Sequence, residues 1–278
     1  MHGMQTMQLL GMNLEVQRIA GNGALAPIVF LHEGLGSVAM WRDFPAQVCA
    51  ATGRAGLVYS RRGYGHSEAA PAVRSPSHQL ANGQRAGRLL PDYMHHEAWE
   101  VLPALLAACG IAKPVLLGHS DGASIALLYA SRYASSACIA MAPHLFVEQV
   151  SLRSIEAARV AYQTTDLRSK LARFHANVDC AFWQWNDVWL SDEFRSFDIT
   201  ADCAQITCPL LGIQGHDDAY GTMAQLDALD SDLLSKKGLG RNRLLREKLL
   251  KLEHCGHSPH KDQSAMVTAA VTEFLKSV

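Results

Sequence analysis

A chain of 278 residues with 49% hydrophobic content can build one large core, so a single domain with a modest insertion is expected. With 25 basic against 26 acidic residues and a formal net charge of −1, it gives no electrostatic basis for binding nucleic acid or an anionic membrane surface. The expected partner is therefore a small molecule. Residues 1–25 hold no basic segment followed by a long apolar stretch, so neither a signal peptide nor a membrane span is read, and a soluble cytoplasmic protein is expected. Composition leaves a homo-oligomer open.

Short β-rich apolar runs alternate with helical patterns along the chain. Met7 to Leu10 and Leu14 to Ile19 read as an antiparallel pair joined near Gly11, and Pro27 to His32 as the first central strand. Further buried strands are expected at Gly56 to Ser60, Pro114 to Leu117, Ala137 to Ala142, Pro209 to Gln214 and Lys248 to Leu252. Helices fall between most of them, which implies a mostly parallel sheet. After Asp92, residues Ala98, Val101, Leu102, Leu105 and Leu106 share one helical face before Gly110 ends the period. From Phe146 to Phe197 the alternation lapses into helical stretches carrying Trp183, Trp185 and Trp189, read as a helical cap over residues 146–197 inserted into a core of residues 1–145 and 198–278. Ser235 to Arg246, rich in Lys, Arg and Gly, reads as a solvated loop and helix end.

The seven cysteines are scattered through apolar segments and read as reduced structural thiols. His254-Cys255-Gly256-His257-Ser258-Pro259-His260 lacks the paired spacings of a zinc site, so neither metal nor cofactor is expected.

Gly118-His119-Ser120-Asp121-Gly122 follows the apolar strand Val115-Leu116-Leu117 and precedes Ala123 to Tyr133, rich in helix formers. At roughly 7% usage for each fixed residue, about one chain in ten of this length contains a G-x-S-x-G by chance, so the strand–turn–helix context carries the weight. There a serine is forced outward at a helix N-terminus, where the dipole favours developing negative charge. Gly65-His66-Ser67-Glu68-Ala69 lacks both the last glycine and the preceding strand, and Ser67 reads as structural.

A nucleophilic serine needs a base, and the base needs a carboxylate to fix its tautomer. Both residue types stand after later strands: His216-Asp217-Asp218 beyond Gly215, and His254 to His257 beyond Leu252. In this order, Ser then Asp then His, the chain resembles the α/β-hydrolase superfamily over nearly its whole length. The resemblance implies an eight-stranded, mostly parallel sheet flanked by helices, with a cap between the sixth and seventh strands. It implies Ser120 as nucleophile, His257 as base and Asp218 as acid, with Asp217 the alternate. His254 and His260 are read as surface or supporting residues, His119 as a packing and orienting residue, and His95 and His96 as solvent-facing.

An oxyanion needs two aimed donors. One is expected from the Asp121 amide. The other is expected in His32-Glu33-Gly34-Leu35-Gly36, which resembles the family's His-Gly-x loop with Glu33 in place of glycine. Gly34 is then the donor, with Leu35 the fallback, and Arg61 or Arg62 is the expected partner of Glu33. Ser60 to Ser67 resembles the loop after the family's next strand, with Ser60 where relatives carry aspartate. Trp41, Trp183, Trp185 and Trp189 are candidates for an apolar or aromatic pocket, although Trp185 and Trp189 at i, i+4 also fit helix packing.

The reaction these features imply is hydrolysis of a carboxylic ester or thioester of a small apolar or aromatic acid through an acyl-enzyme. Serine at the nucleophile position argues against haloalkane dehalogenase or epoxide hydrolase chemistry, which uses aspartate there. Hydrolysis of a carbon–carbon bond or an enol-lactone in a ring-cleavage product is the enzymatic alternative. A small-ligand receptor with a slow triad is the non-enzymatic one.

Overall fold

A computed structural model describes residues 4–230 and 247–278. The proposed loop at Ser235 to Arg246 lies outside the described residues.

Eight strands form one sheet in the order β1-β2-β4-β3-β7-β8-β9-β10. β1 (Met4–Leu9) and β2 (Met12–Ile19) pair antiparallel, with Leu9 opposite Met12 across the two-residue turn Leu10-Gly11. β2 then runs antiparallel to β4 (Gly56–Tyr59). From β4 onward the sheet is parallel through β3 (Ile28–Leu31), β7 (Val115–His119), β8 (Ala137–Met141), β9 (Leu210–Gly215) and β10 (Glu247–Leu252). A two-stranded hairpin, β5 (His78–Gln79) with β6 (Arg85–Ala86), stands apart from the sheet. The five strands β3, β4, β7, β8 and β9 are buried at every residue, because helices cover both faces and leave no side to carry polar residues.

One face packs against α1 (Phe44–Thr52) and the C-terminal helix Ser264–Leu275, around Phe30, Trp41, Val48 and Phe274. The other face packs against α2 (Tyr93–His96), α3 (Leu102–Ala108) and α4 (Asp121–Arg132). Residues Glu97–Val101, between α2 and α3, form a π-helical turn. Ala98, Val101, Leu102, Leu105 and Leu106 are all buried there, on the face their period predicts. None of the helices among the described residues is long and apolar enough to cross a membrane.

Between β8 and β9 the chain forms α5 (Gln149–Thr164), α6 (Leu167–Leu171) and α7 (Val178–Trp189). The two ends of this excursion are pinned together by an antiparallel bridge between Phe146 and Asp198 and by the bond from Ile199 N to Leu145 O, 2.7 Å. Its return to the sheet is thus fixed where it leaves.

The turn between β7 and α4 is the tightest junction in the fold. Ser120 holds φ 54°, ψ −121°, in left-handed space that a residue with a Cβ enters only at a cost. A Cβ on Gly118 would lie 2.1 Å from the Gly122 carbonyl oxygen, and one on Gly122 would lie 2.1 Å from the Leu31 carbonyl oxygen at the end of β3. The obstacle in each case is backbone, which cannot rotate away. Gly122→Ala is therefore expected to lower stability by about 3 kcal/mol or more, the range of severe overpacking. Urea denaturation checks this, and a loss under about 1 kcal/mol would show that the junction has slack.

Candidate active site

Three separate strand ends deliver the polar residues to one place. Ser120 stands at the β7–α4 turn, its amide donating to Met141 O at 2.9 Å, so the turn is also anchored to β8. Asp218 lies in the loop after β9, and His257 in the loop after β10. His257 Nε2 is 2.9 Å from Ser120 Oγ, and His257 Nδ1 is 2.9 Å from both carboxylate oxygens of Asp218. A carboxylate only accepts, so the Nδ1 proton points to Asp218 and Nε2 is left to accept from the serine hydroxyl.

Asp218 is buried and also accepts from Gln214 Nε2 (2.8 Å), Tyr220 N (2.7 Å) and Gly221 N (3.3 Å). Burial opposes its charge, but the hydrogen bond from His257 and the Tyr220 amide outweigh it and hold the pKa below the ordinary carboxylate value. Asp217 is exposed and engages only through its backbone amide, which donates to Cys255 O at 2.9 Å. The structure thus brings Asp218, and not Asp217, to His257.

The Asp121 amide opens α4, where no preceding turn supplies a carbonyl acceptor. Its side chain is buried as well, its carboxylate accepting from Tyr93 Oη at 2.6 Å and Trp189 Nε1 at 3.3 Å. Burial raises its pKa, against the counteracting charge of Arg61. Gly34 and Leu35 follow β3, next to this turn in the sheet. A Cβ on Gly34 would lie 2.2 Å from Trp185 Nε1, so α7 closes directly on this loop. His175, between α6 and α7, adds a second tie: its Nε2 donates to Leu35 O at 3.1 Å while its Nδ1 accepts from Gly65 N at 2.9 Å.

Glu33 is not paired as its neighbours in sequence suggest. Arg61 spends its guanidinium on the carbonyls of His32 (2.5 Å) and Glu33 (3.0 Å), and Arg62 turns to the hairpin, donating to Arg85 O at 2.7 Å. The Glu33 carboxylate instead faces Lys261 Nζ at 3.5 Å and His119 Nδ1 at 3.6 Å. Burial works against its charge, but these partners prevail and hold its pKa well below the carboxylate range. His119 donates through Nε2 to His257 O at 2.6 Å, tying the nucleophile turn to the histidine loop.

The tryptophans divide. Trp189 reaches Asp121 and Trp185 abuts Gly34, so both border the serine. Trp41 is core, packed against Phe30, Phe44 and His260. Trp183 lies on the outer side of α7 beneath Arg74, whose guanidinium carbon is 3.9 Å from the ring centroid. The pattern of tryptophans gave no way to separate them, because periodicity within α7 does not say which face meets the sheet.

Three other readings change. His260 is buried among Trp41, Phe44 and His119, and burial pushes its pKa down to about 2, so it is a neutral core ring and not a surface residue. His95 is half-buried against Trp99 and Phe197. His144 escaped sequence reasoning altogether: it is buried after β8, its ring 5.6 Å from that of His257 and 4.9 Å from that of Trp189, and burial followed by the charge of His257 lowers its pKa to about 3. Its one signal was position, just past a strand end on the edge that carries Ser120. Among the described residues no group of three or more His, Cys, Asp or Glu converges as a metal site.

The loop after β4 shows what replaces the family's aspartate. Ser60 Oγ donates to Glu15 Oε2 at 2.6 Å, and the same oxygen accepts from His66 N at 3.0 Å. Ser67 accepts from Glu15 N at 2.8 Å and donates to Ser60 O at 2.6 Å, as a structural residue should.

The family model described as the alpha/beta hydrolase family matches residues 28–270. Among solved structures, the chain is similar to an enol-lactonase from Burkholderia xenovorans (18% identity, TM-score 0.68, covering 98% of this chain and 100% of that one). It is likewise similar to a hydrolase from Pseudomonas aeruginosa (15% identity, TM-score 0.69, 98% of each chain) and to a proline iminopeptidase from Mycobacterium smegmatis (16% identity, TM-score 0.68, 99% and 98%). At these identities the likeness concerns the fold. No curated protein matches the chain.

Because the folded pKa of Glu33 is depressed, its pairing stabilises the protein fully above the unfolded carboxylate value and the contribution is lost as pH falls through the folded one. The stability advantage of the native chain over Glu33→Gln should therefore be largest near neutrality and shrink on acidification from about pH 5 to about pH 3. Denaturation curves at several pH values measure it. An advantage that is constant or grows in acid would contradict the pairing with Lys261 and His119.

Proposed function

The chain belongs to the alpha/beta hydrolase family, and from that premise we propose that it hydrolyses a carboxylic ester or thioester of a small apolar or aromatic acid. The observation that carries this reading is the unbroken chain from Ser120 Oγ to His257 to Asp218, with 2.9 Å at each link. In the proposed reaction the Ser120 oxygen attacks the carbonyl carbon while its proton passes to His257 Nε2. The tetrahedral intermediate collapses, His257 returns the proton to the departing alkoxide or thiolate, and an acyl-enzyme remains. Water, deprotonated by the same nitrogen, then attacks the acyl carbon and releases the acid and free Ser120. Asp218 stays ionised and steadies the imidazolium at each stage. The amides of Asp121 and Gly34 take the oxyanion, helped by the N-terminal end of α4. Trp185 and Trp189, which border this position, support an apolar acyl group; residues 146–197 act in this reading as the cap that shapes the pocket.

A fluorophosphonate probe is expected to label Ser120 in the folded protein, and Ser120→Ala should abolish turnover of short p-nitrophenyl esters. Asp218→Asn should lower kcat by about 10³–10⁴-fold, as loss of the correct tautomer does, while Asp217→Asn changes it less than about threefold. Equal, mild losses in both would refute the assignment of the acid. Substrate class is read from a panel of esters, thioesters, lactones and ring-cleavage dienones, on which dominant turnover of the last two would overturn the ester reading. Tight ligand binding with negligible turnover across the panel would favour a receptor.

Gly34→Ala should reduce kcat by about 10²-fold, since a side chain there displaces either the donor amide or Trp185. Adding Trp185→Ala should return part of the loss in a double-mutant cycle. Additive effects in that cycle would show that the two residues do not meet.

A further inference from the structure

A cavity of about 650 Å³ lies between the β5–β6 hairpin and the π-helical turn Glu97–Val101, and neither Ser120 nor His257 lines it. That volume suits a small-molecule ligand. Its wall holds two donors without partners. Arg62 is fixed on one side by Arg85 O (2.7 Å) and on the other by Gln84 Oε1 (3.1 Å) and Glu68 Oε1 (3.5 Å). Its Nε is buried and makes no hydrogen bond among the described residues. The hydroxyl of Tyr64, a residue only 3% exposed, is likewise buried and unpaired. Orphaned buried donors each cost about 1–3 kcal/mol, and two on one cavity define a place where an acceptor belongs.

We propose that this cavity is a binding site for a small monoanionic carboxylate with an apolar body, its carboxylate accepting from Arg62 Nε and Tyr64 Oη. An acceptor-only group of single negative charge matches a guanidinium edge and a phenol. Charge on the walls sets the limit of one. Arg85 is already paired with Asp92 at 2.9 Å, Arg62 is partly offset by Glu68, and Glu97 and Glu100 stand on the opposite wall. A phosphate dianion would meet those two carboxylates; a carboxylate does not overfill the site. Leu10, Met12, Leu89 and Val101 provide the apolar lining for the rest of the molecule. Two features connect the site to the loop that carries Gly34. Arg61, a wall residue of the cavity, binds the carbonyls of His32 and Glu33. Tyr93, another, donates to Asp121. π-Helical turns recur at ligand sites, and this one presents Glu97, Glu100 and Val101 to the cavity. The proposal does not depend on the reading of Ser120.

Sodium benzoate is the probe, titrated into protein labelled with ¹⁵N at arginine, with Ser120→Ala run alongside. The Arg62 Nε–H resonance is expected to move saturably, identically in both proteins. Arg62→Lys, which keeps the charge and removes the Nε–H, should weaken binding about tenfold. Leu89→Trp, which fills the apolar end, should abolish the shift while leaving the Arg62 signal in place. A drift without saturation, or the same response to chloride, would show that water alone satisfies the two donors and would overturn the proposal. So would a saturable response confined to the His257 ring, or midpoints unchanged in both variants.

Discussion

Helix α4 begins where its backbone touches the end of β3, and that contact sets the position of nearly everything else around Ser120. Because Gly122 lies against the Leu31 carbonyl, the helix axis cannot retreat from the sheet, and the chain between β7 and α4 must reverse within the few residues available. Ser120 absorbs the reversal in a left-handed conformation. The strain is sustained by what surrounds it: the Ser120 amide is held by β8, and His119 on its N-terminal side is bonded to the backbone of His257. The hydroxyl and the imidazole thus belong to one hydrogen-bonded unit built from three strand ends, and neither can shift alone.

Beneath that unit lies a buried electrostatic layer organised by Arg61. Its guanidinium is spent on two main-chain carbonyls, so its charge remains available to the acidic groups nearby, Asp121 and Glu97. Burial raises the pKa of both carboxyls, and Arg61 works against it in both. Tyr59 and Tyr93 donate to these same carboxylates, at 2.7 and 2.6 Å. A cation held by neutral carbonyls and surrounded by acids that are also hydrogen-bonded by phenols keeps each charge compensated without a direct ion pair. The geometry of the loop carrying Gly34 therefore rests on a charge distribution extending well behind it.

The sheet was legible because its strands are buried on both sides: continuous apolar runs bounded by Gly, Pro and Asp leave few alternatives, and each expected strand lies within a few residues of its observed place. The relation of Ser120, Asp218 and His257 was legible for the same reason, since residues that follow parallel strands gather on one edge of the sheet. What sequence could not supply were contacts made by long side chains across that edge. Glu33 passes over the two adjacent arginines in favour of Lys261, which lies 228 residues away along the chain. His260 and Trp41 share a motif-like setting with functional residues and yet fill the core, because only the direction of a side chain distinguishes the two. His144 has no motif at all.

The replacement of an aspartate by Ser60 has a consequence for how the molecule is partitioned. The negative charge needed under that loop now comes from Glu15, on the second strand of the N-terminal hairpin, and it fastens both Ser60 and the His66 amide. The same loop contributes Gly65 to His175, whose other nitrogen holds Leu35. A hairpin at the margin of the sheet is in this way wired to the ground beneath the nucleophile through four short links. What looks like a trimmable edge is a foundation: shortening the chain from its first residues would loosen the loop architecture before it touched any residue that meets a substrate.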